Sequence, residues 1–174
     1  MSKTIFLTIV YVFVLVQTQL LAETFDLDKA STASLQTGKK PLVYLHRTGC
    51  PYCNLLEEFT LDDDRVQEYI QKNFNFIVLN VSHTEDKVIY KNNSMTPREF
   101  AIEVEYNFFP SVLFLDTRGD LEHASVGFIE DNKFLLILKY MKTGAYKKMS
   151  IEQYKKKIGF QEEEDMNIDK RQKL

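Results

Sequence analysis

Apolar residues along this chain fall into short runs and spaced stripes, and their period changes from segment to segment. Leu42-Val43-Tyr44-Leu45-His46, introduced by Pro41, is a run of strand length rich in β-forming residues. It stops at Arg47-Thr48-Gly49. From Pro51 the spacing of Leu55, Leu56 and Phe59 predicts a helix with proline in its first turn. A second helix is predicted from Asp64 on, where Val66, Tyr69, Ile70 and Phe74 form the stripe of a face laid on a sheet. Asn75 to Val81 reads as a strand buried on both faces, since Phe76, Ile77, Val78, Leu79 and Val81 are nearly continuous. Strand, helix, strand in this order implies parallel strands joined by a crossover, hence an α/β domain.

Further along, a polar loop from Ser82 to Met95 leads to Thr96-Pro97-Arg98-Glu99, a capping box that opens a helix running to about Tyr106. Phe108-Phe109-Pro110 enters a strand at Ser111 to Leu115, and the turn Asp116 to Asp120, with Gly119, leads back into Leu121 to Val126. That is an antiparallel hairpin at a sheet edge. Helices follow over Lys133 to Lys142, with Phe134, Leu135, Ile137, Leu138 and Met141 inward, and over Ile151 to Ile158. The latter is opened by the capping box Ser150 to Gln153 and closed by Gly159. Glu23 to Lys40 carries little apolar periodicity and reads as a leader with an irregular helix around Asp28 to Leu35. The expected domain is therefore residues 41–158, after a leader over 23–40 and before a charged tail over 159–174 that is expected to fray.

The N-terminus changes this picture. Lys3 precedes the apolar run Ile5 to Val16, which gives way to Gln17-Thr18-Gln19 and the small residue Ala22, the form of a secretory signal peptide cleaved before Glu23. An uncleaved membrane anchor is the alternative, made a poor span by the three polar residues. Removing residues 1–22 takes one Lys from 22 Lys and Arg against 25 Asp and Glu, leaving 21 − 25 = −4. With no basic face in the sequence, nucleic acid is excluded as a partner. At 174 residues the chain suits one core rather than two.

The two cysteines, Cys50 and Cys53, stand at the predicted strand-to-helix turn. There the first sulfur meets unpaired helix N–H groups and the positive end of the macrodipole, which favour negative charge on it. Cys50 is placed as the attacking thiolate and Cys53, one turn inward, as the resolving thiol. Pro51 stiffens the spacer, and Tyr52 offers an aromatic surface to a partner peptide. A purely structural disulfide across so short a loop would constrain the unfolded chain little. A zinc site lacks ligands, because His46, His83 and His123 have no ligand-type spacing to the cysteines or to one another. Pro110 opens a strand after Phe108-Phe109, which invites a cis bond at Phe109-Pro110 and an extended substrate lying opposite the sulfurs.

The order of elements, Gly49-Cys50-Pro51-Tyr52-Cys53, and Phe109-Pro110-Ser111 before an apolar strand and a glycine turn together resemble the thioredoxin superfamily over residues 41–158. With the export signal, the leader and the insert ending Met95-Thr96-Pro97-Arg98-Glu99-Phe100-Ala101, the chain is most similar to periplasmic thioredoxin-related proteins of the SoxW type. The resemblance implies a thioredoxin fold: a central mixed β-sheet with an antiparallel C-terminal hairpin, flanked by helices. It also implies a periplasmic location, Cys50 as nucleophile, Cys53 as resolving thiol and Pro110 as the cis-proline. Pro51, Tyr52 and Phe109, beside these residues, are with Pro110 the expected substrate contacts. The chain departs from the pattern where Tyr44 stands in place of a buried Asp, and where Cys-Pro-Tyr-Cys, a glutaredoxin-like spelling, replaces Cys-Gly-Pro-Cys. Water, His46 or Glu57 is left to relay the inner thiol's proton.

Three functions compete. The first is a reductase that passes electrons from a membrane thiol carrier to the disulfides of exported proteins. The second is a disulfide donor, or a glutaredoxin-like enzyme using glutathione, suggested by Pro51-Tyr52. The third is a thiol module that holds Cu(I) or a partner peptide without turnover. No dissociable cofactor or metal is expected; the Cys50–Cys53 disulfide is itself the redox group. Membrane contact is expected only if the signal segment is retained.

Overall fold

The computed structural model describes residues 22–160. All of the expected signal segment but Ala22, and all of the expected tail but Gly159 and Phe160, lie outside the described residues. Two sheets organise the chain. The larger has the order β3-β2-β6-β7, built from β2 (Lys40–His46), β3 (Phe74–Asn80), β6 (Ser111–Leu115) and β7 (Leu121–Val126). β2 runs parallel to β3 and antiparallel to β6, and β6 pairs antiparallel with β7, so the sheet is mixed and the expected hairpin closes one edge.

The alternation of β2 divides the interior. Leu42 and Tyr44 point to one side, where they meet Val66 and Ile70 of α3 (Asp64–Asn73) and Phe134 and Leu138 of α5 (Asp131–Lys142). The last helix, α6 (Ile151–Ile158), adds Tyr154 to this cluster, and Phe160 packs against it beyond the expected domain boundary. Val43 and Leu45 point to the other side, against Leu27, Val88, Tyr90 and Phe100. Because strand side chains alternate faces, one strand buried from Pro41 to Leu45 supplies both cores.

That second cluster overturns two expectations. The segment read as a leader holds β1 (Thr24–Asp26) and α1 (Leu27–Thr37), whose first residue, Leu27, is fully buried. The segment read as a polar loop holds β4 (Lys87–Tyr90) and β5 (Asn93–Met95), a hairpin that joins β1 in a second sheet of order β1-β4-β5. Polar chemistry stitches these pieces together, which is why no apolar period announced them. Asp26 caps α1 by accepting the Lys29 N–H at 2.8 Å, and the Asp28 carboxylate accepts the Lys91 and Asn92 N–H groups at 2.8 and 2.7 Å. Lys91 and Asn92 both sit at positive φ, 50° and 63°, so the hairpin turn is left-handed and is held by a carboxylate from another element.

Both capping boxes form as expected, at Thr96 for α4 (Pro97–Glu103) and at Ser150 for α6. The helix from Pro51 is shorter than its spacing suggested. α2 (Pro51–Leu56) passes into a π turn over Glu57–Leu61, where the Asp62 N–H reaches back five residues to the Glu57 carbonyl at 2.9 Å. Leu55 and Phe59 face outward, while Leu56 is buried. β3 also departs from expectation. It is an outer strand rather than one buried on both faces, with Asn75 exposed and Val78 41% exposed. Among the described residues no helix is long and apolar enough to cross a membrane.

If α1 belongs to the fold, truncating its buried anchor should unfold the whole domain more easily. Leu27→Ala is expected to lower stability by about 2–5 kcal/mol in urea denaturation. A change within roughly 0.5 kcal/mol, as for an exposed surface site, would return the segment to the role of a leader.

Candidate active site

β2 ends in the tight turn that carries the two cysteines. Gly49 has φ 72°, a left-handed conformation that costs glycine little and lets the strand break directly into α2. Cys50 is the N-cap of that helix, in extended conformation, and its Sγ accepts the Cys53 N–H at 3.2 Å. Pro51 takes the first helical position. A sulfur as helix cap is directed at the donors and dipole that stabilise a thiolate. Cys50 and Cys53 are joined as a disulfide with their Cα atoms 5.2 Å apart.

The second expected element meets the first. The Phe109–Pro110 bond is cis, and the Phe109 carbonyl oxygen lies 3.8 Å from Cys50 Sγ. In the disulfide that sulfur carries no proton, so this is a packing contact; a reduced Cys50 thiol has an acceptor there. The Pro110 carbonyl accepts the Gly127 N–H at 2.8 Å, which brings the turn after β7 beside the cis bond. The Ile129 carbonyl accepts the Thr60 hydroxyl at 2.5 Å, tying the same turn to the π segment. Both sulfurs are nearly covered, Cys50 at 3% and Cys53 at 1% exposure, while Tyr52 at 63% and Phe108 at 69% stand out on the surface. Val126 and Phe128 are also exposed, on either side of Gly127. This third loop was missed in the sequence. Its signal was two apolar residues flanking a glycine at the end of a strand.

Beneath the inner cysteine lies a polar cluster in an apolar surround. The Tyr44 hydroxyl donates to Glu57 Oε1 at 2.9 Å and lies 3.5 Å from the Cys53 carbonyl oxygen. His46 Nδ1 is 3.4 Å from the same carboxylate oxygen, and the rings of Tyr44 and His46 stack with centroids 5.1 Å apart. Burial, reinforced by the Glu57 hydrogen bond and charge, pushes the Tyr44 phenol far above its ordinary value, so it is always a donor. Burial lowers His46, against the opposing pull of Glu57, so at neutral pH the ring is uncharged and stands beside the carboxylate as a neutral neighbour. The residues expected singly as proton relays, Glu57 and His46, thus share one carboxylate oxygen with the tyrosine that replaces the acid. His83 and His123 stand apart from the sulfurs. His83 pairs with Asp86 at 3.3 Å, and His123 lies on β7 against Phe114.

A family described as a thioredoxin-like domain matches residues 27–142. The thiol:disulfide interchange protein DsbD of Actinobacillus pleuropneumoniae serotype 5b is 35% identical over 112 residues, covering 63% of this chain and 17% of DsbD. The chain therefore spans under a fifth of that relative's length. Among solved structures, a thioredoxin-fold protein from Helicobacter pylori is 25% identical with a TM-score of 0.56, covering 71% of this chain and 88% of that one. A thioredoxin from Thermus thermophilus, 20% identical with a TM-score of 0.53 over 69% of this chain and 86% of its own, shares the fold. These likenesses carry the family and not the narrower SoxW-type resemblance.

Burial depresses His46 and His123 alike below the usual histidine value of about 6.5. A depressed folded value means the unfolded chain binds the proton first. The stability these rings contribute is complete above about pH 6.5 and is lost as pH falls through their folded values. Urea midpoints should therefore decline between pH 7 and 5, and His123→Asn should flatten part of that slope. An unchanged slope in the variant would mean that the ring does not feel its burial.

Proposed function

The chain belongs to the family of thioredoxin-like domains, and from that premise we propose that it is an exported thiol:disulfide oxidoreductase that reduces the disulfides of partner proteins. The observation that carries the reading is the sulfur of Cys50 capping α2 with the Phe109 carbonyl beside it, since one contact favours the attacking thiolate and the other lies where a substrate sulfur would approach.

In the reduced protein the Cys50 thiolate attacks one sulfur of the partner disulfide. A mixed disulfide forms, and the first partner thiolate leaves and takes up a proton. Cys53 then loses its proton and attacks Cys50 Sγ, expelling the second partner thiolate and closing the Cys50–Cys53 disulfide. Two electrons pass to the partner, whose two thiolates take up one proton given up by Cys53 and one from solvent, and the Cys50–Cys53 disulfide is the product. A thiol reductant must restore the dithiol, a role that fits a membrane thiol carrier. The partner segment is received by Pro51, Tyr52, Phe109 and Pro110 together with Phe108, Val126 and Phe128, an apolar rim that suits extended apolar peptide. Glu57 is the base for Cys53. Tyr44 cannot accept a proton and instead fixes the carboxylate by donating to it. Export rests on the apolar run Ile5 to Val16, with cleavage after Ala22.

Disulfide donation is the second reading, favoured by the Cys-Pro-Tyr-Cys spelling. The equilibrium reduction potential separates the two. A value near −270 mV supports reduction, and one near −120 mV, or turnover that depends on glutathione, supports the alternative. Cys50→Ser should abolish insulin reduction; retained activity would show that Cys50 is not the nucleophile and overturn this reading. Glu57→Gln should slow decay of the mixed disulfide roughly 10²-fold and flatten its pH profile, with the initial attack unaffected. Equal slowing of both steps would show that Glu57 acts only on the fold.

A further inference from the structure

The larger sheet stops at β3, and among the described residues no strand pairs with its outer edge. Open edges are normally guarded by Lys, Pro or a bulge. Phe74-Asn75-Phe76-Ile77-Val78-Leu79-Asn80 carries no charge and no proline, and its pairing with β2 is in register throughout. The Val81 N–H donates to the His46 carbonyl at 2.8 Å, so with peptide groups alternating along the strand, those of Phe76 and Val78 turn to the open edge.

Beside this edge lies a cavity of about 590 Å³, one wall of which is Phe74, Phe76 and Val78. These are alternate residues of β3, so a second strand laid along the edge would place its own alternate side chains over the same hollow. The hollow is mostly apolar. Its charged lining groups are the carboxylates of Glu57 and Asp62, with no Lys or Arg among the lining residues. Apolar walls, two acids and a free ladder of peptide groups specify the occupant: an extended segment with apolar side chains at every second position and a basic residue near them.

We propose that the outer edge of β3 and its cavity form a docking site for an extended basic and apolar segment of a partner protein, added to the sheet as a further strand. The site does not use the sulfurs and stands whether or not the redox reading does. It is separate from the rim of Tyr52, Phe108 and Phe128. A partner seated there meets Glu57 and Tyr44, which also line the hollow.

The test is a titration of the oxidised chain, followed by amide nitrogen–proton spectra, with the blocked peptide Lys-Val-Lys-Val-Lys-Val and its counterpart Glu-Val-Glu-Val-Glu-Val. The basic peptide should produce saturating shifts at the Phe76 and Val78 amides and at the Gln67 and Gln71 side chains, and the acidic peptide should bind at least about tenfold more weakly, a gap that narrows with salt. Val78→Lys, at a position already 41% exposed, and Asp62→Asn should each weaken binding about threefold or more, with the dispersion of the spectra confirming the fold. The proposal is overturned by equal binding of the two peptides, by no binding at millimolar peptide, or by shifts confined to Cys50, Phe109 and Phe128. Shifts that depend on protein concentration alone would assign the edge to a second copy. Slow exchange of the Phe76 and Val78 amides without peptide would assign it to the chain itself. Either would also overturn it.

Discussion

The burial of β2 on both faces is the constraint from which the rest follows. Its residues Leu42 to Leu45 are at most 2% exposed, and they alternate between two cores. A strand so fixed cannot shift by one residue without exchanging Leu42 and Tyr44 for Val43 and Leu45, which would turn every side chain to the wrong core. The position at which the chain leaves the sheet is thereby set, and with it the start of α2 and the place of Cys50. β6, buried along its whole length and paired with β2, is set in the same way and delivers Phe109 and Pro110 to the same end of the sheet. Sheet registry therefore positions the sulfur and the peptide groups opposite it.

Two parts of the site act on charge in opposite senses. The Cys53 N–H and the end of α2 favour a negative Cys50 sulfur, whereas its burial disfavours any charge there. The inner cysteine is the third residue of α2, and its carbonyl oxygen lies 3.5 Å from the hydroxyl of Tyr44, a phenol that burial keeps protonated and that donates to Glu57, with the neutral His46 ring 3.4 Å from the same carboxylate oxygen. Replacing a buried acid with Tyr44 moves the negative charge outward to Glu57, which sits on the π turn and is partly in water. The arrangement spares the fold a fully desolvated carboxylate.

What was legible in the sequence follows from where apolar period decides structure. The strand before the cysteines, the helix after them, the hairpin and both capping boxes were readable because one-dimensional patterns encode them directly. The cysteine pair was readable because two thiols at that spacing have few uses, and Pro110 because a proline entering a strand must be accommodated somehow. α1 and the β4–β5 hairpin were not readable. Their order depends on Asp26, Asp28 and the left-handed pair Lys91-Asn92, short polar residues that look like loop until their long-range partners are known. β3 misled for the converse reason, since an apolar strand at an open edge has the same composition as one in the middle of a sheet. The Tyr44–Glu57–His46 cluster was visible only as separate candidates, because no apolar period shows that a carboxylate after the helix meets two residues of the strand before it.

Magnitudes bear on the direction in which such a pair works. Separating a potential of −270 mV from one of −120 mV takes 150 mV, and at 1.4 kcal/mol for every 30 mV that is about 7 kcal/mol of preference for the dithiol. A hydrogen bond to a charged group contributes about 1.5–3 kcal/mol, or roughly 30–65 mV. Among the described residues, the N–H that reaches Cys50 Sγ is that of Cys53. One such donor, opposed by the near-complete burial of both sulfurs, falls well short of the sum that a strongly oxidising pair requires. That shortfall fits the proposed reduction of partner disulfides, and it locates the control of the balance in the helix cap.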